Sequence, residues 1–572
     1  MKLVPRFPIC VANKAWGKLV LMVTNEICQQ RFNLLNQATN YTDLERSFVW
    51  QLPEEYNIGV DVCDKWAEQD PDRLALIHLG QDGKSQEYSF ADLRRLSNQT
   101  ANLLQTRGLG KGDCIGILLP QAPETGYGHV AIYKLGAIAV PLFCLFEEEA
   151  LAYRITNSGA RAIITNGEGA VKLARIRQQL PELRHIFNIE GPYRDCVDFH
   201  TERQQQSDQF FPVKTLLNDP ALLIYTSGTT GQPKGALHGH RILLGHLPGV
   251  EMSHDFLPQR GDRFWTPADW AWIGGLYDVL MPAWHHGITV VSHRFAKFEP
   301  EAAFKLIADY HIRNVFLPPT ALKMMRTVNH PEQRWNTQLR SIASGGESLG
   351  SELLQWGKQC FGVRINEFYG QTECNMIVSN CTSIMPQEPG IMGHPVPGHQ
   401  VAIVDDKGKP LPTGTLGNIA VKWPDPVMFI GYWNDPEATR NKFIGDWLLT
   451  GDTGIRQPKG SIRFVGRDDD LITSSGYRIG PSEIEDCLIK HPAVKMVGVV
   501  GIPDEKCTQI VKAFVVLNDG YQGAEPLVKE LQNHVKLRLA AHEYPRQVAF
   551  IEELPMTTTG KVIRRILRQL TS

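Results

Sequence analysis

The chain has 11 cysteines but no C-x-x-C pair, and an odd number of thiols cannot pair completely. Scattered cysteines argue against a disulfide framework and for a reducing, cytoplasmic compartment. No apolar run reaches the roughly 18 residues that a membrane-spanning helix needs. Near the N-terminus, basic residues precede Leu19-Val20-Leu21-Met22-Val23. That apolar stretch is shorter than the roughly 7–15 residues of a secretory core. Residues 1–50 are therefore expected to be a leader without defined structure, with Met22 an alternative start. Charge of one sign is also lacking: 59 Lys+Arg balance 61 Asp+Glu, for a net charge of −2. Without bulk basicity there is no mark of a nucleic acid or an anionic membrane as partner. Two nucleotide signatures are missing as well. The nearest approach to a Walker A loop, Gly83-Lys84-Ser85, has His78 where the first glycine belongs. No G-x-G-x-x-G follows a strand, which removes the footing for nicotinamide chemistry.

What is present is a globular composition, with 42% apolar and 21% charged residues. That excludes wholesale disorder. A chain of 572 residues exceeds one ordinary core, so several packed units are expected. Apolar periodicity predicts helices over Val60–Gln69, Phe90–Arg107, Gln121–Leu135, Leu151–Asn157 and Glu301–His311. Strands are predicted over Leu74–Leu79, Cys114–Leu119, Ala137–Leu142, Arg161–Thr165, Gly287–Val291 and Asn314–Leu317. Strands alternating with helices give an α/β fold with helix-covered, mostly parallel sheets. The polar residues 192–218 read as a connecting loop. After about residue 390, Gly and Pro become frequent, which suits turns between short strands and suggests a β-rich subdomain over about 390–463. Beyond Gly466–Asp470 a separate α+β pattern begins, with helices Pro481–His491 and Pro526–Leu539. Its predicted strands are Val497–Gly501, Val511–Leu517 and Gln547–Ile551. The expected division is a main domain over 51–466 and a small, mobile C-terminal domain over 467–572.

The strongest local signal runs from Tyr225 to Gly235 (YTSGTTGQPKG), directly after the apolar strand Ala221–Ile224. Glycines Gly228 and Gly231 let the backbone approach phosphate oxygens closely. Thr226, Ser227, Thr229, Thr230 and Lys234 add donors. A polyphosphate is the guest such a loop suits.

This loop resembles the signature of the adenylate-forming superfamily of acyl-CoA synthetases, adenylation domains and luciferases. Further motifs follow in that family's order: Gly345-Gly346-Glu347, then Glu367-Phe368-Tyr369-Gly370-Gln371-Thr372-Glu373, then Thr450-Gly451-Asp452. GRDDDLITSSG at 466–476 and PMTTTGK at 555–561 complete the series. The similarity runs from about residue 55 to the end. The stretch EEYNIGVDVCDKWA (residues 54–67) is similar to the start of medium-chain acyl-CoA synthetases.

The resemblance implies a reaction in two halves. A small carboxylic acid attacks the α-phosphate of ATP to give acyl-AMP and pyrophosphate. The thiol of CoA then takes the acyl group and releases AMP. It further implies Mg²⁺ on Glu373, a donor to the α-phosphate in Thr372, and an adenine face in Tyr369. Gly345, Gly346 and Glu347 would line the adenine pocket with Glu367, Phe368, Gly370 and Gln371. Asp452 would accept from the ribose hydroxyls, assisted by Arg467, and Arg478 would contact phosphate. Lys561 would bridge carboxylate and α-phosphate as charge develops. Ser475 and Gly476 would leave room for the CoA arm, and Asp469 would be the hinge about which the C-terminal domain rotates.

The acid is less legible. Acetate-specific relatives carry a bulky Trp where this chain has Gly370, so the missing indole is expected to open space for several methylenes. Trp270, Trp272 and Ile273 are expected to form the opposite wall. A medium-chain fatty or arylalkyl acid is favoured, with acetate or propionate as competitor. Two further readings stay open: an adenylation enzyme that loads a carrier protein, and a non-catalytic nucleotide binder. His238, His240, His285 and His286 lack metal-ligand spacing and read as structural.

Overall fold

The computed structural model describes residues 34–226, 232–347, 349–467, 470, 472–474, 477–504, 508–539, 543–556 and 562–570. Short, wholly apolar runs become inner strands. Cys114–Leu118 is buried along its whole length and pairs in parallel with Ile138–Pro141 on one side and Ala162–Thr165 on the other. Such strands have both faces covered, hence no polar alternation. This sheet continues through Pro220–Thr226 to Lys234–Gly239, which runs antiparallel to it.

A second sheet holds fourteen strands among the described residues. Its parallel part includes Leu74–Leu79, Thr289–His293, Arg263–Trp265, Asn314–Phe316, Ser341–Gly345 and Ile365–Gln371. From Cys374–Ser379 onward the pairing turns antiparallel, through Ile391–Pro395 and Ile462–Arg467 to Trp447–Arg456, Leu416–Lys422 and Val401–Val404. The β-rich stretch expected after residue 390 thus extends the main sheet rather than forming a sheet of its own.

Helices fill the space between the two sheets. Phe90–Thr106 starts with a reciprocal cap, Ser89 and Asp92 each bonding the other's backbone N–H. Pro123–Lys134 is buried nearly all round, and Ile242–Ser253 entirely. Gly126 is glycine for a reason of space: a Cβ there would lie 2.5 Å from the Trp284 ring. That indole is itself fully buried and donates to the Ala75 carbonyl at 2.9 Å. Lys134 is buried too, with Nζ 2.5 Å from Asp64 and bonded to Ser97 and Asn98. A charge can sit there only because it is paired.

Two expectations change. Residues 34–50, grouped with the leader, pack onto the body. The Leu34 and Leu35 amides donate to the buried Glu251 carboxylate at 3.0 and 2.7 Å, and Leu35 and Leu44 join an apolar cluster with Met252 and Phe256. Residues 192–218 are not all loop. Asp198 caps a helix over Phe199–Gln204 by accepting from the Thr201 amide, and Phe199 is driven into the core.

The C-terminal part builds its own five-stranded sheet, in which Thr508–Leu517 pairs with the edge strand Val494–Asp504 along its length and with Ile472–Ser474 and Gln547–Phe550. Pro481–Leu488, Glu525–Arg538 and Arg564–Gln569 are its helices. Its core, including Ile484, Leu488, Val499, Val515 and Leu531, is separate from the others. Among the described residues, no helix is long and apolar enough to cross a membrane.

Candidate active site

The site begins where two parallel strands end side by side. Ser341–Gly345 and Ile365–Gln371 are in register with Gly345 opposite Phe368. Ligands of open α/β sheets bind beyond such carboxyl ends. A Cβ on Gly345 would meet the Phe368 ring at 2.6 Å, and Gly346 turns the chain with φ +101°. Glu347 follows and pairs with Lys323 at 3.5 Å. The predicted glycine pair and the Glu367–Glu373 segment therefore meet in space.

Asp452 comes to the same edge from Trp447–Arg456. It is buried, and its Oδ2 accepts from the Tyr369 hydroxyl at 2.5 Å and from Gln371 Nε2 at 2.7 Å. Arg467, its partner across the ladder, places Nε 3.7 Å from Oδ1. Burial raises the Asp452 carboxyl above its ordinary pKa. Tyr369, expected as an adenine face, thus also fixes the carboxylate, while its ring packs toward Phe464.

Glu373 is buried one turn beyond, and its Oε1 accepts a short hydrogen bond from the Tyr432 hydroxyl. Lys234 lies over the same tyrosine ring, Nζ 5.3 Å from the centroid. Thr226 and Lys234 face each other across the antiparallel ladder. Lys234, Tyr432, Asp435, Asn441 and Lys442 line one open cleft. Tyr432 was missed by the sequence reading. Its only signal is the Gly431-Tyr432 pair, which forms a two-residue strand against Lys234–Gly239.

Glu367 turns inward instead. Its Oε1 accepts from the Leu349 amide at 2.9 Å, Oε2 is buried without a partner, and burial pushes its pKa to about 8. It fastens the 345–349 loop rather than facing the nucleotide edge. Thr372, next to Glu373 in sequence, is half-buried. Arg478 lies in the strand Tyr477–Ile479, opposite Thr473. Ser227, Gly228, Thr229, Thr230, Gly231, Asp469, Ser475, Gly476 and Lys561 lie outside the described residues.

The expected acyl wall is partly corrected. Trp272 and Ile273 are half-buried, with Trp272 against Phe143 at 6.0 Å. Trp270 is fully buried in the main core. Gly370 does not open a space. A Cβ there would lie 2.3 Å from Met376 N and 2.6 Å from Asn375 Cα, so glycine is needed for the close approach of the next strand. Of the four histidines, His285 pairs with Asp61 at 2.6 Å, His286 lies 3.3 Å from Glu251, and His240 accepts from the Ile58 amide. His238 is fully buried beside the Thr372 backbone, and burial keeps it neutral.

Comparison with known proteins decides the family. Residues 63–433 match the AMP-binding enzyme family and residues 483–561 its C-terminal domain. The chain belongs to the AMP-binding enzyme family. Among curated relatives, acetyl-coenzyme A synthetase of Bacillus subtilis (strain 168) is 33% identical over 549 residues, covering 92% of this chain and 94% of that protein. Human mitochondrial acyl-coenzyme A synthetase ACSM2B is 34% identical over 530 residues, covering 91% of each. The crystal structure of the anthranilate CoA ligase AuaEII with anthranoyl-AMP superimposes with a TM-score of 0.83 at 29% identity, covering 91% of this chain and 98% of that one. This AMP-binding enzyme is an acyl-CoA synthetase, an AMP-forming acid–CoA ligase.

Proposed function

We propose that the acid it activates is a medium-chain fatty or arylalkyl carboxylate, that Mg²⁺ accompanies ATP, and that adenylation and thioester formation are divided between two placements of the C-terminal domain. The observation that carries the nucleotide side is the clamp on Asp452. Tyr369 and Gln371 come from one strand and hold a carboxylate from another, leaving Oδ1 toward Arg467. A carboxylate so oriented accepts ribose hydroxyls without first reorganising.

Glu373 suits a magnesium nucleotide. Its Oε1 is taken by Tyr432, and no cluster of three His, Cys, Asp or Glu exists among the described residues. One carboxylate is enough for Mg²⁺ that draws its other ligands from phosphates and water. When bound, the ion would neutralise phosphate charge. The chain's own part is done by Lys234 at the cleft and by Lys561, whose amine would stabilise charge on the α-phosphate. For the compartment we favour the reducing cytoplasm, supported by eight buried, unpaired cysteines among the described residues.

AMP release measured over C2–C12 fatty acids and aryl acids tests the substrate. A maximum at C2 with no activity on longer or aryl acids would overturn it. Lys561→Ala is expected to lower carboxylate-dependent pyrophosphate exchange by roughly 10²–10³. CoA-dependent discharge of supplied acyl-AMP should survive, and equal loss of both would contradict the division of labour.

A further inference from the structure

Asp278 is an ionisable group in the wrong place for a purely apolar pocket. It is only 3% exposed, and its neighbours Leu276, Tyr277, Val279 and Leu280 are all fully buried core residues. Its Oδ1 accepts from Asn375 Nδ2 at 2.5 Å. Among the described residues, no lysine, arginine or histidine forms an ion pair with it, and no hydrogen bond reaches Oδ2. Oδ2 is not sealed off like an orphaned core oxygen, so it is open to a hydrogen-bonding group brought against it.

The position of the pair says what that group is. Asn375 lies two residues beyond Glu373 and packs beneath Gly370, where a Cβ would lie 2.7 Å from its Oδ1. Gly274 stands one helical turn before Asp278, and a Cβ there would lie 3.6 Å from Oδ2 and 3.0 Å from the Phe316 ring. Trp272 and Ile273, the expected acyl wall, immediately precede Gly274. Asp278 Oδ2 therefore points at the notch left by Gly274, between the acyl wall and the nucleotide edge.

We propose that Asp278 and Asn375 form a polar end of the acyl pocket and select carboxylic acids whose acyl part carries a hydrogen-bond donor, an amino or hydroxyl group. The proposal rests on the acid–CoA ligase reading and narrows its substrate. A plain alkyl chain would desolvate the carboxyl and give nothing back, whereas a donor-bearing acid completes its hydrogen bonds. Burial holds the Asp278 carboxyl well above its ordinary pKa, so as a neutral acid its O–H donates to a substrate hydroxyl, which can donate in return to the carbonyl oxygen, whereas an ammonium draws it into the carboxylate form and donates to it.

The test uses matched acids on the intact enzyme: hexanoate against 6-hydroxy- and 6-aminohexanoate, and benzoate against the hydroxy- and aminobenzoates. AMP release gives kcat/KM for the wild type, Asp278→Asn and Asp278→Leu. The wild type is expected to favour a donor-bearing member of at least one set by roughly 10- to 100-fold. Asp278→Leu should abolish that ratio. Asp278→Asn, which keeps the shape, should retain part of a hydroxyl preference and lose an ammonium preference, and it carries the test if the leucine variant does not fold. A wild type that favours the parent acid in every set, or a ratio unchanged in both variants, overturns the proposal. Failure of every acid to release AMP, while ATP still binds, would instead bring down the ligase reading and this proposal with it.

Discussion

Single residues at the nucleotide edge are held by few, short contacts, so their loss is readable. Tyr369→Phe removes one of two donors to Asp452 and leaves its buried carboxylate less satisfied. A hydrogen bond to a charged group is worth about 1.5–3 kcal/mol, so the KM for ATP should rise roughly tenfold or more. Initial-rate kinetics would show it, and an unchanged KM would mean that the clamp does not orient Asp452 for ribose. Gly370 gives a second case. An alanine there would force its Cβ to within 2.3–2.7 Å of Asn375 and Met376. Gly370→Ala should cost about 1–3 kcal/mol, the usual penalty of overpacking, and lower the melting temperature. An unchanged melting temperature with an altered chain-length profile would restore the view of Gly370 as an open wall.

At the scale of elements, Glu367 ties the 345–349 loop to the strand Ile365–Gln371 through the Leu349 amide. Its folded pKa of about 8 lies above the ordinary 4.5. The unfolded chain therefore binds fewer protons than the folded one between those values. The stabilisation is complete below about 4.5 and is lost as pH rises toward about 8, at up to about 1.4 kcal/mol per pH unit. Glu367→Gln mimics the neutral acid and should flatten that decline. Melting temperatures across the range check it, and parallel curves for the two proteins would contradict it. The same region shows what the sequence could and could not reveal. Helices such as Phe90–Thr106 and strands such as Cys114–Leu118 were legible because their periodicity and burial agree. The Gly345 and Tyr369 segments were legible through their motifs. Tyr432 and Asp278 were not. Each acts through a partner far off in the chain, Glu373 and Asn375 respectively, and no local pattern encodes that pairing. Gly370 was misread because a missing side chain looks like space until the strand that fills it is placed.

Over the whole molecule, described residues of the C-terminal part reach the body on the helix Pro481–Leu488 and just before it. Gly480 approaches the body so closely that a Cβ would lie 2.2 Å from the Val465 carbonyl, and Asp486 lies near Gly350. Just past the joint, Asp470 accepts from Arg568 at 2.7 Å and lies 3.4 Å from Arg564. Arg564 also grips both oxygens of Glu485, at 2.8 and 2.7 Å. The chain that carries Lys561 is fastened at both ends: Met556 pairs with Val562, and the Ile563 amide donates to the Pro555 carbonyl at 2.8 Å. One arginine, one residue on from that amide, thus links the lysine segment to the joint. Arg564→Ala would take the bidentate partner from the half-buried Glu485 and leave Asp470 with Arg568 alone, at a cost of about 1.5–3 kcal/mol to the C-terminal domain. If the domain's placement sets which half-reaction runs, pyrophosphate exchange should fall in this variant more than CoA-dependent discharge of supplied acyl-AMP, with ATP binding unchanged because Asp452, Tyr369 and Gln371 all belong to the body. Stopped-time assays of the two halves, run below the variant's melting temperature, decide it. Equal slowing of both would show that Arg564 only holds the domain together and plays no part in directing Lys561.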